Sequence, residues 1–337
     1  MRKRMIYDNI CRRDFGKDGD FSVRKRSRAL AKDPLIEPYF DTDPMKISVI
    51  TPTFEAEEHI LGCIESVAAQ TFPDFEHLIM DGASPDGTAD LVRQACQRFP
   101  HLKLFSEKDR GIYDAMNKGF SQADGDYIIF LGADDRFYNT SVLHRVFLEL
   151  GDERPDVVYG SVLAGGNGLP GIADGGIYGG EFDLPKLLHK NICHQAIFYS
   201  RAIIIKAGTY NILYRYFADW DYNLRCYSLG NFKYIDIVIA HYNTTGRSAG
   251  GLDLAFSASF FEEVRGYFGL SVFNRHYRNS AEYIGFAGKL RIRNMRDPGG
   301  LIYLVAACWH SPGYLFDLLT SVFEKIIGRR RKPAEIS

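Results

Sequence analysis

The chain has 337 residues, and 46% of them are hydrophobic, which is enough apolar material for a sizeable core. Its 41 lysine and arginine residues balance 42 aspartate and glutamate residues, so the formal net charge of −1 gives no nucleic-acid-binding footprint. The six cysteines include no Cys-x-x-Cys pair and have no histidine at zinc-ligand spacing, which predicts reduced thiols in a cytoplasmic protein.

Residues 1–45 are rich in basic side chains and show little apolar periodicity, which predicts a disordered arm. No apolar stretch follows Arg2, Lys3 and Arg4, so we expect no signal peptide. Because Met45 directly precedes the first predicted strand, the arm is either a basic tether for an anionic surface or an upstream extension of the start site.

Strands and helices then alternate along the chain. The predicted strands cover 46–52, 76–80, 102–105 and 127–131, and the predicted helices cover 57–69, 89–98, 112–120 and 142–150. This alternation predicts an α/β fold whose sheet is parallel and whose crossover connections are right-handed.

Acidic side chains stand where two of these strands end. Asp81 follows the second strand, and Asp134 and Asp135 follow the fourth. Ligands bind outside the carboxyl ends of strands in open α/β sheets, and two adjacent carboxylates there repel each other unless they share a cation. Mg²⁺ or Mn²⁺ suits carboxylates and phosphates together, so the pair predicts a metal site. The alternative is a polar turn in which Asp caps the helix over 142–150.

Four ordered motifs resemble those of the family 2 glycosyltransferases: SVITPTF at 48–54, DGAS at 81–84, DRGIYDAMNKG at 109–119 and GADD at 132–135. The resemblance covers 46–247 and is closest in character to bacterial transferases that build surface polysaccharides. It implies a GT-A fold, in which helices flank a mostly parallel central sheet. The implied catalytic domain is 46–250, divided into a nucleotide-sugar half at 46–140 and an acceptor half at 141–250.

The resemblance also implies roles for individual residues. Those implied to bind substrate are Thr51, Pro52, Thr53, Glu55, Asp81, Asp109, Arg110, Gly111, Asp114, Lys118, Ala133, Asp134, His194 and Arg247. The base and ribose are expected at the 51–55 loop and Asp81, because a carboxylate accepts hydrogen bonds from base N–H groups and sugar hydroxyls. The alternatives are an Asx-turn at Asp81 and an i, i+4 surface pair of Asp114 with Lys118.

The family usually carries another Asp at the position of Gly132. Because this chain has glycine there, the implied ligands of Mg²⁺ or Mn²⁺ are the remaining acids, Asp134 and Asp135. His241, after the predicted strand 234–240, is a third candidate for the metal or the diphosphate. Arg247 lies in a glycine-rich loop that is expected to fold over the donor. The alternative for His241, as for His194, is a hydrogen-bonded, partly buried imidazole.

An inverting transfer needs a base for the acceptor hydroxyl, and Asp219 is the first candidate. It lies in a segment that resembles the family's Glu-Asp signature, with Ala218 in place of the Glu and Asp221 as the second candidate. The alternative makes either Asp the N-cap of the helix that contains Leu224.

Residues 251–337 are predicted to form a helical region that associates with a membrane surface. Its apolar stripe consists of Leu315, Leu318, Leu319, Val322, Phe323 and Ile326, and four basic residues follow at 329–332. This pattern predicts amphipathic C-terminal helices, of which none reaches the roughly 18 apolar residues of a membrane span. The alternative is a helix packed on the catalytic core or in a dimer.

The sequence therefore predicts a metal-dependent, inverting glycosyltransferase of polysaccharide biosynthesis. Its donor is a nucleoside diphosphate sugar, with UDP favoured, and its acceptor is a glycan, lipid-linked, at the inner face of the cytoplasmic membrane. One alternative is a non-catalytic subunit that binds sugars or nucleotides. Another is a nucleotidyltransferase, which needs a basic glycine-rich loop that is absent at 51–58, and a dehydrogenase needs a Gly-x-Gly-x-x-Gly motif that is absent after the first strand.

Overall fold

The structure, a computed structural model, describes residues 45–166, 168, 172–245 and 252–320. The predicted arm lies outside this range apart from Met45. The strands are β1 (Ile47–Thr53), β2 (Phe75–Asp81), β3 (Leu102–Ser106), β4 (Tyr127–Phe130), β5 (Arg136–Phe137), β6 (Val157–Gly165), β7 (Ile177–Tyr178), β8 (Ile197–Ser200) and β9 (Phe232–Asn243).

Helices separate most of these strands. They are α1 (Ile60–Ala68), α2 (Thr88–Cys96), α3 (Ile112–Gln122), α4 (Val142–Leu150), α5 (Leu184–Leu187), α6 (Arg201–Ala207), α7 (Ala218–Leu229), α8 (Leu254–Phe268), α9 (Ala281–Asn294) and α10 (Gly300–His310). Residues 312–320 are also helical. The helix predicted over 142–150 has these bounds in the structure.

The strands form one sheet in the order β3-β2-β1-β4-β8-β6-β9-β5, with β7 paired to β6. The first four strands of this order are parallel, as predicted. Strand β8 then enters antiparallel to both β4 and β6, and β9 runs parallel to β6. The strand predicted over 234–240 lies within β9, but no strand was predicted over Val157–Gly165, so the sequence interpretation missed part of this mixed half of the sheet. The predicted α/β class is confirmed.

Alternate residues of the central strands enter two different cores, which explains why these strands are largely apolar. Ile50 of β1 and Phe130 of β4 pack with α3 and α7 on one face. Val49 and Ile129 pack on the other face, with α1 and α4. Because successive side chains of a strand point to opposite faces, a strand covered on both sides needs a continuous apolar run. The carboxyl ends of the strands remain as the open edge.

Helices α8, α9 and α10 continue the first of these cores, to which Phe256, Ile284 and Ala306 contribute buried side chains. Arg291 of α9 is buried against this layer and forms ion pairs with Glu262, at 2.8 Å, and with Asp297. Helices therefore make up most of residues 252–320, while the wider division of the chain stays a prediction. In the part of the chain that the structure describes, no helix is long and apolar enough to cross a membrane.

Candidate active site

A cleft of about 1000 Å³ opens at the carboxyl ends of β1, β2 and β4. We define its N-terminal wall as the lining residues of segments 52–59, 82–86, 109–115 and 132–135. We define its C-terminal wall as the lining residues of segments 194–195, 215–216 and 242–245. The cleft therefore lies at the edge where parallel sheets hold their ligands.

The two walls differ in charge. The carboxylates of the N-terminal wall belong to Glu55, Glu57, Glu58, Asp86, Asp109, Asp134 and Asp135. Among the described residues, the C-terminal wall has no carboxylate, and Arg215 is its one lysine or arginine. The cleft as a whole therefore repels an anion such as a diphosphate unless a cation accompanies it.

Hydrogen bonds tie the loop after β1 to the loop after β2. The backbone N–H of Glu55 donates to Ser84 Oγ at 2.9 Å, and the backbone N–H of Ala56 donates to Thr88 Oγ1 at 2.9 Å. In return, the N–H of Gly87 donates to Glu57 Oε2 at 3.0 Å. Since two separate loops share these bonds, the N-terminal wall is held as a unit before any ligand binds. Pro52, Thr53 and Glu55, three of the predicted substrate residues, line it.

Thr51 and Asp81 lie beneath this wall and not on it. Thr51 is fully buried, and its hydroxyl oxygen lies 2.9 Å from His77 Nε2. Burial lowers the pKa of His77 to about 3, so the ring is neutral near pH 7. Asp81 is 2% exposed and accepts hydrogen bonds from the hydroxyls of Ser84, at 2.5 Å, and Ser106, at 2.6 Å. The backbone N–H of Ser84 also donates to Asp81 Oδ1 at 3.2 Å, as in the turn considered as the alternative for Asp81.

The loop before α3 contributes two of its predicted residues to the cleft, Asp109 and Gly111. Burial raises the pKa of the Asp109 carboxyl, which accepts a hydrogen bond from the N–H of Gly111 at 2.8 Å. Arg110 is outside the lining, and its guanidinium donates to Asp114 at 3.0 Å. The surface pair considered for Asp114 and Lys118 does not form in the structure, because Lys118 instead pairs with Glu107 at 3.0 Å.

The two acids after β4 have different surroundings. Asp135 is 2% exposed and accepts hydrogen bonds from Gln195 Nε2 at 2.9 Å and from the Asn243 N–H at 2.8 Å. Burial, together with the charge of Asp134, raises the pKa of Asp135 to about 6. Asp134 is half-buried and accepts a hydrogen bond from Asn243 Nδ2 at 3.2 Å. Asp134 is therefore the acid of the pair that is more open to the cleft.

The two carboxylates also explain why glycine precedes them. A Cβ atom at Gly132 would lie 2.6 Å from Asp135 Oδ2 and 3.2 Å from Asp134 Oδ1. An aspartate at position 132, which the resemblance gives as the usual residue, would have to displace the pair. The buried position of Asp135 is therefore compatible with glycine at position 132 and not with an acid there.

A divalent metal ion fits this site if protein ligands are few. Among the described residues, no group of three or more His, Cys, Asp or Glu side chains is arranged to hold a metal ion. Mg²⁺ and Mn²⁺ accept such sites when a diphosphate and water complete the shell. Asp134 suits the role of direct ligand. The exposed His241 does not line the cleft, and its ring lies 5.2 Å from that of Tyr138, so the geometry gives no support to its predicted role as a ligand.

Asp219 lies directly behind the C-terminal wall. Its Oδ2 accepts a hydrogen bond from Asn191 Nδ2 at 2.8 Å, and its Oδ1 lies 3.0 Å from the hydroxyl of Tyr113. The nearest group on the wall is His194, whose Nδ1 is 3.6 Å from Asp219 Oδ2. The N-cap of α7 is Phe217, so neither Asp219 nor Asp221 has the capping role considered for it.

Asp221, the second candidate base, belongs to a buried structural network. It forms an ion pair with Arg225 at 2.8 Å and accepts a hydrogen bond from the hydroxyl of Tyr267 at 2.8 Å. Its side chain is 4% exposed, and it does not line the cleft. The position of Ala218 is equally closed, because this residue is fully buried in the core.

Residues 48–206 match the model of the protein family described as Glycosyl transferase family 2. A PGL/p-HBAD biosynthesis glycosyltransferase of Mycobacterium tuberculosis is 41% identical over 204 residues, which cover 59% of this chain and 77% of that protein. This chain belongs to glycosyltransferase family 2. The predicted family is therefore confirmed, and the protein is a glycosyltransferase.

A solved structure supports the GT-A fold of this family 2 glycosyltransferase. Staphylococcus aureus TarS 1–349, in complex with UDP-GlcNAc, has a TM-score of 0.55 at 15% identity over 82% of this chain and 92% of that chain. A longer TarS chain has a TM-score of 0.51, and the match spans 54% of its length. The predicted GT-A fold is confirmed.

Several residues in the glycosyltransferase cleft or directly behind its C-terminal wall were not predicted. They are Arg215 and Tyr216 on the C-terminal wall, Gln195 and Asn243 at the acid pair, and Asn191 and Tyr113 at Asp219. Gln195 had a usable signal, since it directly follows His194 before a strand. The other predicted cleft residues, Ala133 and His194, line the cleft. Arg247 and its loop lie outside the described residues.

Proposed function

We propose that this family 2 glycosyltransferase is an inverting, metal-dependent enzyme that transfers a sugar from a nucleoside diphosphate sugar to a glycan. The observation that carries the proposal is the position of Asp134 and His194 on opposite walls of one cleft, with Asp219 behind His194. A group for the leaving diphosphate and a group for the acceptor proton therefore face the same space. A UDP-sugar is the favoured donor, since the structurally similar TarS was solved with UDP-GlcNAc.

The metal requirement follows from the charge of the N-terminal wall. A bound diphosphate would meet the carboxylates of Asp109 and Asp134, and like charges at close range are unfavourable. Mg²⁺ or Mn²⁺, held by Asp134, would neutralise the diphosphate and the charge that develops on it as it leaves. Asp135 orients this site through its bonds to Gln195 and Asn243.

We assign the remaining donor contacts to the N-terminal wall. The backbone and side chains of Pro52, Thr53 and Glu55 form the base and ribose pocket, and Asp109 accepts hydrogen bonds from sugar hydroxyls. Thr51 and Asp81 support this pocket from beneath. The role of Arg247 as part of a lid remains a prediction, and so does the division into halves at 46–140 and 141–250 with a helical region at 251–337.

The transfer is a single displacement. The acceptor hydroxyl oxygen attacks the anomeric carbon, the bond from that carbon to the diphosphate oxygen breaks, and the electron pair leaves with the diphosphate. The hydroxyl proton passes to the pair formed by His194 and Asp219. Because the attack comes from the face opposite the leaving group, the anomeric configuration is inverted.

We further propose that the enzyme binds the inner surface of the cytoplasmic membrane, where a lipid-linked acceptor is found. Large apolar side chains stay exposed on α10 and on helix 312–320: Leu301, Ile302, Val305, Trp309, Leu315, Phe316 and Leu319. An amphipathic helix of this kind inserts its apolar face between lipid headgroups. The basic cluster at 329–332, outside the described residues, would add electrostatic attraction to anionic lipids.

Liposome flotation tests the membrane proposal. The intact chain should float with anionic vesicles, and added salt should weaken its binding. Replacement of Val305 and Trp309 by Glu should abolish flotation. The matched control is Ile205→Glu, because Ile205 is 77% exposed on α6, away from these helices. This control variant should float normally. Equal flotation of both variants would contradict the proposal.

The transfer proposal is tested first by a thermal-shift screen of nucleoside diphosphates and their sugars, with and without Mn²⁺. A ligand that binds only the folded protein raises its unfolding temperature, so the screen names the base. NMR of the product formed from that donor then gives the anomeric configuration, which should be inverted. Donor binding without any hydrolysis or transfer would favour the non-catalytic subunit.

A further inference from the structure

We infer that Arg215 selects the acceptor by binding a negatively charged group on it, a carboxylate or a phosphate. The inference rests on the proposed transfer reaction and deepens it, because it names a chemical property of the acceptor glycan. Arg215 is then a specificity-determining residue and takes no part in the making or breaking of bonds. Three features of the cleft support this role: how the side chain is presented, where its loop lies and how the opposite wall is charged.

The Arg215 side chain is exposed, and the residue lines the cleft. Its guanidinium forms no hydrogen bond or ion pair with any residue that the structure describes, although carboxylates line the opposite wall. The guanidinium carbon lies 5.2 Å from the centroid of the Tyr216 ring, a cation–π contact that helps to hold it at the wall. Since a guanidinium presents paired N–H groups that match the two oxygens of a carboxylate or phosphate, this side chain is suited to bind such a group.

The loop that carries Arg215 is fixed from two sides. The N–H of Tyr216, which belongs to the peptide bond between the two residues, donates to Asp253 Oδ2 at 2.9 Å. The carbonyl oxygen of Tyr216 accepts a hydrogen bond from the hydroxyl of Tyr113 at 2.7 Å. Asp253 is 3% exposed and also caps α8, where its Oδ1 accepts from the N–H of Phe256 at 3.1 Å. Because buried partners hold both polar groups of the Tyr216 backbone, Arg215 has a defined position before any ligand binds.

The same contacts place Arg215 on the acceptor side of the cleft. The Tyr113 hydroxyl that holds Tyr216 also lies 3.0 Å from Oδ1 of Asp219. The Arg215 loop therefore adjoins a group that receives the acceptor proton in the proposed reaction. The metal and the diphosphate are assigned to Asp134 on the opposite wall. An acceptor whose hydroxyl gives up its proton at the C-terminal wall consequently has Arg215 beside it.

The charge of the opposite wall makes this arginine selective. The acidic N-terminal wall repels a negatively charged acceptor, and among the described residues Arg215 is the one lysine or arginine that lines the cleft. A charged acceptor is therefore held at the C-terminal wall, away from the donor, with its anionic group on the guanidinium. A neutral acceptor gains neither this attraction nor this orientation, so the two kinds of acceptor differ in affinity.

A binding experiment with the full chain tests this assignment. The protein is saturated with UDP and Mn²⁺ and titrated, with NMR detection of the ligand, with sugars that differ only in the group at the sixth carbon: methyl glucoside, methyl glucuronide and the phosphate ester of methyl glucoside. Arg215→Gln removes the charge, and Arg215→Lys keeps it without the paired N–H groups. The control is Arg145→Gln, because Arg145 is exposed on α4 and lies outside the cleft lining.

In the wild type, we expect the glucuronide or the phosphate ester to bind at least about tenfold more tightly than the neutral glucoside, because hydrogen bonds between charged groups are stronger. Arg215→Gln should remove this preference, Arg215→Lys should keep part of it, and Arg145→Gln should keep all of it. The affinity for UDP with Mn²⁺, measured by calorimetry, should stay within about twofold in every variant. The charged sugar that binds more tightly shows whether a carboxylate or a phosphate is recognised.

Three results would overturn the inference. The first is binding of both charged sugars that is no tighter than that of the neutral glucoside. The second is a preference that survives in Arg215→Gln or is lost equally in Arg145→Gln, which makes it an effect of overall charge. The third is a loss of UDP affinity in Arg215→Gln that equals its loss of sugar affinity, which makes Arg215 a contact of the donor diphosphate. In each case the wild type still binds UDP with Mn²⁺, so the proposed function stands, whereas a wild type that binds no nucleoside diphosphate removes both.

Discussion

The two walls of the cleft are built differently, and the difference separates two tasks. The N-terminal wall consists of loops that follow parallel strands, is tied together by bonds such as that from Glu55 to Ser84, and carries the acids of the cleft. The C-terminal wall carries Arg215 and His194, and its acid, Asp219, is set behind it. We propose that the first wall holds the donor by means of a cation, while the second wall receives the proton of the acceptor hydroxyl.

The largest effect that the comparison predicts is on the C-terminal wall. Asp219→Asn should reduce transfer by about 10² or more, because the proton of the acceptor then has no anionic partner. UDP affinity should be unchanged, since Asp219 does not line the cleft. Turnover and calorimetry on the same preparation check both statements. Loss of UDP affinity in this variant would show that the two walls do not have separate tasks.

The N-terminal wall was the more predictable of the two, for a physical reason. Its strands are apolar runs with acids at their ends, and a local pattern of this kind places Asp134 at the open edge, while the family resemblance pointed to Asp109. What the sequence could not show is which acids are already occupied. Asp81 is bound by Ser106, which is 25 residues away, and such a partner is found only once the strands pair.

The C-terminal wall depends even more on distant contacts. Asn243 reaches Asp135 across 108 positions of sequence, and Tyr113 reaches Asp219 across 106. Strand β6, which pairs β9 beneath this wall, was not predicted at all. The resemblance pointed to Asp219 and His194 separately, and only the folded structure shows that their side chains lie 3.6 Å apart.

Asp221 offers the next largest effect and sharpens the contrast with its neighbour Asp219. Asp221→Ala removes the carboxylate partner of the partly buried Arg225, which keeps its bonds to the carbonyls of Ala207 and Thr209, so we expect a loss of about 3 kcal/mol in the free energy of unfolding. Turnover per folded molecule should stay near normal. Urea unfolding and an activity assay at low temperature measure these quantities. A stable but inactive variant would indicate that Asp221 is the catalytic base.

His77, which lies beneath the N-terminal wall, should have a smaller, pH-dependent effect on the free energy of unfolding. The folded protein protonates His77 only near pH 3, whereas the unfolded chain does so near pH 6.5. The unfolded state therefore binds more protons between these values, so stability from this residue is present above pH 6.5 and is lost as the pH falls. From pH 7 to pH 5 the loss is about 2 kcal/mol.

His77→Gln keeps a polar partner for Thr51 and removes the titrating ring. Its free energy of unfolding should fall less steeply between pH 7 and pH 5 than that of the wild type. Urea unfolding at several pH values provides the comparison. Because Thr51 and His77 lie beneath the wall, UDP affinity at pH 7 should be the same in both proteins, and parallel pH profiles of stability would contradict the assignment of a neutral, buried ring.

The central claim is that the acidic wall holds its donor through a divalent ion at Asp134. Calorimetry of UDP with and without Mn²⁺, for the wild type, Asp134→Asn and Asp135→Asn, tests it most directly. The account predicts that the wild type binds UDP only with Mn²⁺ and that Asp134→Asn weakens this binding at least about tenfold. Asp135→Asn should weaken it less, because the carboxylate of Asp135 already accepts a hydrogen bond from Gln195. Equal UDP affinity with and without Mn²⁺, unchanged in Asp134→Asn, would contradict it.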